Sequence, residues 1–217
     1  MSVGVIGLGY VGLPLVVAFA EAGEDVVAVD IDPRKVAAIK AGESYIEDIS
    51  SERLAACRES IYPTSHYQPL ARTDAVIICV PTPLTANREP DLQALESAGR
   101  GLGQVLQRGQ LVVLESTTYP GTTRERLVPI LEQESELRVG EEVNVAFSPE
   151  RVDPGRTDYT LRNTPKVVGG MTDRCLERAM ELYGRVCDHL VAVSTPEAAE
   201  MSKLLENIFR SVNIALV

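Results

Sequence analysis

Short apolar runs alternate with amphipathic segments along most of the 217-residue chain. The runs are rich in valine and isoleucine, as buried strands are. We therefore predict strands at residues 3–8, 25–30, 75–80, 111–114, 143–147, 166–168 and 190–193. We predict helices at residues 13–22, 33–41, 50–58, 92–106, 122–134 and 173–184, with Thr122 as the cap of the fifth helix. Strands that alternate with helices predict a doubly wound α/β fold with a mostly parallel sheet.

The segment from residue 194 onward has a different pattern. Ser194 and Glu197 form a predicted capping box, and Pro196 falls in the first helical turn. Apolar residues then recur at helical spacing, at Met201, Leu204, Leu205, Ile208, Val212 and Leu216. We predict a domain at residues 1–193 and the beginning of a longer helix at residues 194–217, in a fragment of a larger protein. A terminal helix that docks on its own domain is the alternative.

A G-x-G-x-x-G motif, formed by Gly7, Gly9 and Gly12, follows the first predicted strand and opens the first predicted helix. This context is the one that dinucleotide binding requires. The first glycine permits a tight turn, the second lets the backbone approach a pyrophosphate, and the third lets helix and strand pack closely. The motif predicts a Rossmann-like fold, although a tight turn alone would also use these glycines.

Asp30 ends the second predicted strand, 18 residues after Gly12. A carboxylate there can bind both ribose hydroxyls of NAD and would repel the 2′-phosphate of NADP. The alternative is that Asp30 only caps the next helix. Arg34 and Lys35 follow closely, and a basic residue could pair with a 2′-phosphate. We predict NAD as the cofactor.

Composition excludes several classes of function. Apolar residues make up 45% of the chain and charged residues 24%, which is ordinary for a globular protein. The net charge of -10 argues against nucleic acid as a partner. Because no apolar run is long enough to span a bilayer and no signal peptide is apparent, we expect a cytoplasmic protein without a membrane partner. The cysteines are scattered, so we predict reduced, mostly buried thiols and no metal site.

Five motifs in order resemble those of the UDP-glucose/GDP-mannose dehydrogenase family. They are Gly-Leu-Gly-Tyr-Val-Gly-Leu-Pro at 7–14, Val-Pro-Thr-Pro at 80–83, Glu-Ser-Thr-Thr-Tyr-Pro-Gly-Thr at 115–122, Phe-Ser-Pro-Glu-Arg-Val at 147–152 and Lys-Leu-Leu-Glu-Asn at 203–207. The resemblance covers the whole chain, and the third and fourth motifs are more similar to the UDP-N-acetylhexosamine branch than to the UDP-glucose branch.

The resemblance implies NAD-dependent oxidation of the C6 alcohol of a UDP-sugar to a carboxylate, with a role in polysaccharide biosynthesis. It assigns catalytic roles to Thr117, which would hold a water, Glu150 as acid and base, and Lys203 with Asn207 at the reacting oxygen. Residues i and i+4 share a helix face, so the last two can address one ligand. It assigns cofactor contacts to Gly7, Gly9, Tyr10, Val11, Gly12, Asp30, Lys35, Val80, Pro81, Thr82, Ser116 and Thr117.

The chain also departs from the family pattern. The nucleophilic cysteine of the family stands in a Gly-x-Cys-x-x-Lys-Asp motif, which none of the four cysteines here matches. An acid that contacts cofactor in the UDP-glucose branch is replaced by Pro154, with Asp153 the nearest acid. We therefore expect a fragment that binds NAD but cannot complete the oxidation alone, because the UDP-binding half is missing.

Two other functions are compatible with a Rossmann domain. A β-hydroxyacid or 6-phosphogluconate-type dehydrogenase would share the Lys-x-x-x-Asn helix, but it would need a serine- and glycine-rich motif near residue 120. A non-catalytic NAD-binding module that ends near Val217 is the second. In the family, the helix that begins at Ser194 joins the two halves and forms much of a dimer interface, so we expect a homodimer.

Overall fold

The computed structural model describes residues 1–151 and 160–217, and its centre is a single eight-stranded sheet. The strands are β1 (Ser2–Ile6), β2 (Asp25–Val29), β3 (Ile61–Thr64), β4 (Ala75–Ile78), β5 (Leu111–Leu114), β6 (Asn144–Phe147), β7 (Lys166–Gly170) and β8 (Leu190–Val193). Their spatial order is β3-β2-β1-β4-β5-β6-β7-β8. Neighbours are parallel except β6 and β7, which pair antiparallel. The prediction of a mostly parallel, Rossmann-like sheet is confirmed.

Helices cover both faces of this sheet. They are α1 (Gly12–Glu21), α2 (Pro33–Ala41), α3 (Ser51–Ala56), α4 (Gln93–Gly103), α5 (Val128–Ser135), α6 (Asp173–Tyr183) and α7 (Pro196–Leu216). Successive residues of β4 point to opposite faces, as the period of a strand requires. Ile77 joins a cluster with α1 and α6, whereas Ile78 joins a cluster with α4 and α5. The sheet therefore has two cores, one on each side.

The strand order reverses between β1 and β4. The chain leaves β1 toward β2 on one side and later enters β4 on the other side of β1. Ligands of open α/β sheets bind in the crevice at the carboxyl ends of the strands at such a point. The fold thus places a binding site at the ends of β1 and β4.

One strand was missed by the sequence pattern. β3 contains Pro63 and lies at the edge of the sheet, paired with β2 alone. Proline lacks the amide hydrogen that a central strand needs, and an edge strand tolerates it because one side is unpaired. The Tyr62–Pro63 pair therefore reads as a loop in sequence although it forms a strand.

Two predicted caps were wrong. The side chain of Thr122 caps nothing, since its hydroxyl donates to the carbonyl of Tyr119 at 2.7 Å, and a π-helical turn at Thr123–Leu127 precedes α5. The cap of α7 is Thr195 rather than Ser194, because the Thr195 hydroxyl accepts from the amide of Ala198.

The apolar stripe of α7 lies on the surface of this chain. The buried residues of the helix are all in its first turns, at Pro196, Ala199 and Glu200. Beyond them Leu205 is 61% exposed and Phe209 is 70% exposed. The structure therefore does not show the apolar stripe docked on this domain. Among the described helices, none is long and apolar enough to cross a membrane.

Candidate cofactor and active site

A cleft of about 610 Å³ opens at the carboxyl ends of β1, β4 and β5. It contains every residue predicted to contact cofactor except Gly12. Residues that sequence reasoning missed complete the wall, namely Ile6, Val29, Ile31, Asp32, Tyr67, Cys79, Ala94, Ser97, Ala98 and Glu115. Ala94, Ser97 and Ala98 of α4 were missed because small side chains on a helix form no recognisable sequence motif.

The three glycines of the loop after β1 have different reasons to be glycine. Gly7 has a φ of +92°, which favours glycine. A Cβ at Gly12 would lie 1.8 Å from the carbonyl oxygen of Gly7, so the turn itself excludes a side chain there. A Cβ at Gly9 would meet no protein atom within 4 Å, although Gly9 lines the cleft. The protein therefore does not require glycine at residue 9, but close approach of a ligand does.

The amino-terminal end of α1 is open to the cleft. Val11 occupies the cap position, and its side chain has no oxygen with which to bind the first-turn amides. The first turn also contains no acidic residue. The positive end of the helix dipole is what a pyrophosphate needs. This end of α1 and the open space at Gly9 together fit a dinucleotide.

Asp30 lies at the end of β2 with its carboxylate held in place. One oxygen accepts from the amide of Leu8 at 2.8 Å and from Lys35 at 2.9 Å, and the other accepts from the amide of Asp32 at 2.8 Å. The residue is only 6% exposed, yet it lines the cleft. A fixed carboxylate at this place can accept from ribose hydroxyls. Asp30 does not cap α2, because Asp32 does so.

Both basic residues after Asp30 are paired with carboxylates. Lys35 is bound to Asp30, and Arg34 makes two side-chain hydrogen bonds to Asp32. Arg34, by its side-chain hydrogen bond, lowers the pKa of Asp32 to about 2. Both cations are therefore already engaged by carboxylates, which favours NAD over NADP.

The far wall of the cleft consists of the loops after β4 and β5. The hydroxyl of Ser116 donates to the carbonyl of Val80 at 2.7 Å, and the hydroxyl of Thr82 donates to the carbonyl of Thr117 at 2.5 Å. Each loop therefore binds the backbone of the other through a side chain. Pro81 stands between these contacts and lines the cleft as well.

The structure brings two of the predicted catalytic residues into contact. Lys203 of α7 donates from its ammonium group to the backbone carbonyl of Glu150 at 2.6 Å. Asn207 lies one turn further along the same helix and is exposed. Thr117 lies in the cofactor cleft instead. Asp153 and Pro154 lie outside the described residues.

A buried charged cluster connects the two loops that carry Thr117 and Glu150. Glu115 is 1% exposed and forms an ion pair with Lys166, and it accepts from the hydroxyl of Tyr183 at 2.6 Å. Lys166 also lies 4.0 Å from a carboxylate oxygen of Glu150. Glu115 belongs to a motif quoted above but received no role there, and Lys166 was predicted only as the first residue of a strand.

Burial dominates the acid–base properties of this cluster. Burial raises the pKa of Glu115 to about 7, against the opposing effect of Lys166. Burial alone would lower the pKa of Lys166, but Glu115 and Glu150 outweigh it and the pKa is raised. Lys166 therefore remains an ammonium group and places positive charge beside both carboxylates.

All four cysteines are free thiols, and Cys79, Cys175 and Cys187 are buried. Burial raises the pKa of Cys79 well above its usual value. Burial also raises the pKa of Cys187 to about 12. A reactive cysteine needs a lowered pKa and access to substrate, so these two thiols are unsuited to nucleophilic attack.

Comparison with known proteins gives the same result as the geometry. Residues 1–187 match the family model of the UDP-glucose/GDP-mannose dehydrogenase family, NAD-binding domain. UDP-N-acetyl-D-mannosamine dehydrogenase of Escherichia coli (strain K12) is 41% identical over 222 residues, which cover 99% of this chain and 52% of the relative. UDP-N-acetyl-D-glucosamine 6-dehydrogenase of Pseudomonas aeruginosa is 36% identical, over 100% of this chain and 51% of the relative.

Solved structures agree. The UDP-D-ManNAc dehydrogenase of Pyrococcus horikoshii has a TM-score of 0.93 at 39% identity, over 100% of this chain and 52% of that chain. The GDP-mannose dehydrogenase of Pseudomonas aeruginosa, a ternary complex, has a TM-score of 0.92 at 27% identity, over 100% and 51%. The chain spans about half the length of the relatives it matches. It belongs to the UDP-glucose/GDP-mannose dehydrogenase family, and residues 1–187 are the NAD-binding domain of that family.

Proposed function

We propose that this chain is the NAD-binding half of an enzyme that oxidises the C6 alcohol of a UDP-sugar to a carboxylate. The observation that carries the proposal is the contact between Lys203 and Glu150. The ion pair of Lys166 with Glu115, a residue of the cleft wall, connects that contact to the dinucleotide cleft. The names of the two sequence relatives given above support a UDP-N-acetylhexosamine as the substrate. The family match removes the reason to retain a β-hydroxyacid dehydrogenase.

Each proposed catalytic residue has a chemical task. Removal of a hydride from an alcohol requires loss of the hydroxyl proton, and Glu150 is the carboxylate that takes it. Lys203 and Asn207 stabilise the negative charge that develops on the oxygen. Thr117 holds the water that later enters the product. The nicotinamide cofactor, when bound, accepts the hydride.

Lys203 is poised for such a role by its present contact. Its ammonium group donates to a neutral carbonyl oxygen at 2.6 Å rather than to a carboxylate. A neutral acceptor holds an ammonium group less strongly than a carboxylate does. A substrate alkoxide could therefore replace the carbonyl at modest cost.

We further propose that the chain binds NAD but does not complete the oxidation alone. Completion requires a thiolate, and burial raises the pKa of Cys79 and Cys187. The test is a steady-state assay of NADH formation with UDP-N-acetyl sugars and UDP-glucose. It compares this chain with a protein that joins it to the remaining half found in its relatives. We expect turnover only in the second. Turnover by this chain, or none in either, would contradict the proposal.

We also propose that the chain forms a homodimer through the helix at residues 194–217. Leu205, Ile208 and Phe209 are each about half exposed or more, and an exposed apolar patch of this kind marks an interaction surface. Solution mass measured by light scattering over a range of concentrations tests this. A monomer at high concentration would contradict it. We assign residues 1–193 to the cofactor domain and expect cytoplasmic action in polysaccharide biosynthesis.

A further inference from the structure

Glu200 is a buried acid that the proposed chemistry does not use. It lies in the second turn of α7 and is 1% exposed. One carboxylate oxygen accepts from the amide of Gly121 at 2.5 Å. The other accepts from the amide of Thr123 at 2.9 Å and from its hydroxyl at 2.7 Å. Three donors from the segment after β5 therefore converge on a single side chain of α7.

These contacts fix the segment that follows Thr117. Gly121 has a φ of +100°, so its amide is presented by a turn that only glycine adopts readily. The amide of Thr123 belongs to the first turn of the π-helical segment that leads into α5. A carboxylate at a helix beginning satisfies amides that would otherwise lack a partner. Because Glu200 and Thr123 are almost completely buried, the geometry has little freedom.

The same face of α7 also binds the loop after β6. Glu200, Lys203 and Glu206 are spaced by three residues and lie on one side of the helix. Lys203 donates to the carbonyl of Glu150, and Glu206 forms an ion pair with Arg151. One helix face thus holds the loop after β5 through Glu200 and the loop after β6 through the next two turns.

We infer that Glu200 is a positioning residue that sets the rotation of α7 and so brings Lys203 to Glu150. The inference rests on the catalytic roles proposed above for Lys203 and Glu150. Lys203 stands three residues after Glu200, or slightly less than one helical turn. A rotation of α7 about its axis would move its ammonium group away from the loop. Glu200 is almost completely buried and accepts three hydrogen bonds, so its contact holds α7 more firmly than the partly exposed ion pair of Glu206 with Arg151 does.

The helix offers a matched control. Glu197 lies one turn earlier and reaches the same segment, where it pairs with Arg124 at 2.6 Å. Both side chains of this pair are partly exposed, at 32% and 48%. Exposed pairs contribute little. Glu197→Gln therefore removes a charge from the same helix and the same contact region without disturbing a buried acceptor.

The first test measures how accessible Lys203 is in this chain. Reductive methylation followed by mass spectrometry gives the rate at Lys203, with exposed Lys40 as the internal reference. In Glu200→Gln, the side-chain NH2 group faces one of the two backbone amides, and two donors cannot bind each other. The contact is therefore weakened, and we expect the methylation rate at Lys203, relative to Lys40, to rise about threefold or more. Glu197→Gln should leave it unchanged. Thr123→Val, which removes only the hydroxyl donor, should give a smaller rise.

The second test measures function in a protein that joins this chain to the remaining half. We expect Glu200→Gln to lower kcat about tenfold while the KM for NAD stays within about twofold, because the cofactor cleft is untouched. An unchanged rate of methylation at Lys203 in both Glu200→Gln and Thr123→Val would overturn the inference. A faster methylation of Lys203 in Glu200→Gln together with an unchanged kcat would overturn the inference as well.

The two tests separate this inference from the proposed function. If the wild-type protein oxidised no nucleotide sugar, the proposed function would fail. The inference that Glu200 positions a catalytic lysine would fall with it, whereas the methylation rates would still report whether Glu200 holds Lys203 at the loop. Calorimetric titration of Glu200→Gln with NAD is the control for folding, because a folded variant should bind NAD as the wild type does.

Discussion

The ammonium group of Lys203 donates to the backbone carbonyl of Glu150 at 2.6 Å, across 53 residues of sequence. The contact joins α7 to the loop after β6. It places a positive charge at a loop that also faces the buried Lys166. Lys203 and Lys166 thus bring two positive charges to the loop that carries Glu150, where they can stabilise a developing oxyanion.

The glycine loop gives the first prediction. Gly9→Ala should leave the free energy of unfolding nearly unchanged, because an added Cβ meets no protein atom within 4 Å. It should weaken NAD about tenfold or more, since the Cβ would occupy the space that the pyrophosphate needs. Thermal unfolding and calorimetric titration measure the two effects.

Gly12→Ala is the matched comparison. Its Cβ would lie 1.8 Å from the carbonyl oxygen of Gly7, so the loop must move. We expect lower stability together with weaker NAD binding. If Gly9→Ala bound NAD as wild type does, the pyrophosphate would not lie over residue 9.

Asp30 gives the second prediction. Asp30→Asn keeps the shape of the side chain but removes the charge that accepts from ribose hydroxyls and from Lys35. We expect NAD affinity to fall about tenfold or more, since hydrogen bonds to charged groups contribute about 1.5–3 kcal/mol. Affinity for NADP relative to NAD should rise, because repulsion of a 2′-phosphate is lost.

The control for Asp30 is two residues away. Asp32→Asn removes a carboxylate that pairs with exposed Arg34, and asparagine still caps α2. NAD affinity should stay within about twofold. Equal losses in both variants would argue that general negative charge, rather than contact with the ribose, governs binding.

Local spacing predicted the place of the cofactor-loop residues. Gly7, Gly9 and Asp30 line the cleft at the strand ends, as the motif predicts, and their contact with the cofactor stays a prediction. The fold followed from the alternation of apolar runs. The strand with Pro63 was missed because sequence does not reveal that it lies at an edge.

Contacts between distant segments could not be read from the sequence. Lys166 and Glu115 are 51 residues apart, and a lysine that begins a strand usually reaches solvent. Glu200 lies in none of the five motifs, so the sequence assigns it no role. In the structure the polar side faces the domain, and the apolar stripe is exposed.

The buried cluster gives the third prediction. Glu115→Gln and Lys166→Met should each lower the free energy of unfolding by about 3–5 kcal/mol, because each removes the nearest partner of a buried charge. The double variant should lose much less than the sum. Urea unfolding measures all three.

A surface pair serves as the control for this cycle. Glu21 and Arg53 lie 2.6 Å apart but are 38% and 47% exposed. Removal of either should cost less than about 1 kcal/mol. Additive losses at Glu115 and Lys166 would mean that the two groups do not interact.

The pH dependence of stability gives the fourth prediction. Burial raises the pKa of Glu115 from 4.5 to about 7, so the folded protein binds the proton more tightly than the unfolded chain. The contribution of this group to stability is therefore full below about pH 4.5 and decreases as the pH rises through 7. From pH 5 to pH 8, the free energy of unfolding of the wild type should decrease by on the order of 1–3 kcal/mol relative to that of Glu115→Gln. Parallel curves for the two proteins would contradict the assignment.

The most direct measurement is calorimetric titration of this chain with NAD and, in parallel, with NADP. The central claim is that the cleft between β1 and β4 binds NAD through the glycine loop and Asp30. It predicts clear binding of NAD and binding of NADP weaker by about tenfold or more, because a 2′-phosphate would face the Asp30 carboxylate. Equal binding of NADP, or binding of neither dinucleotide, would contradict it.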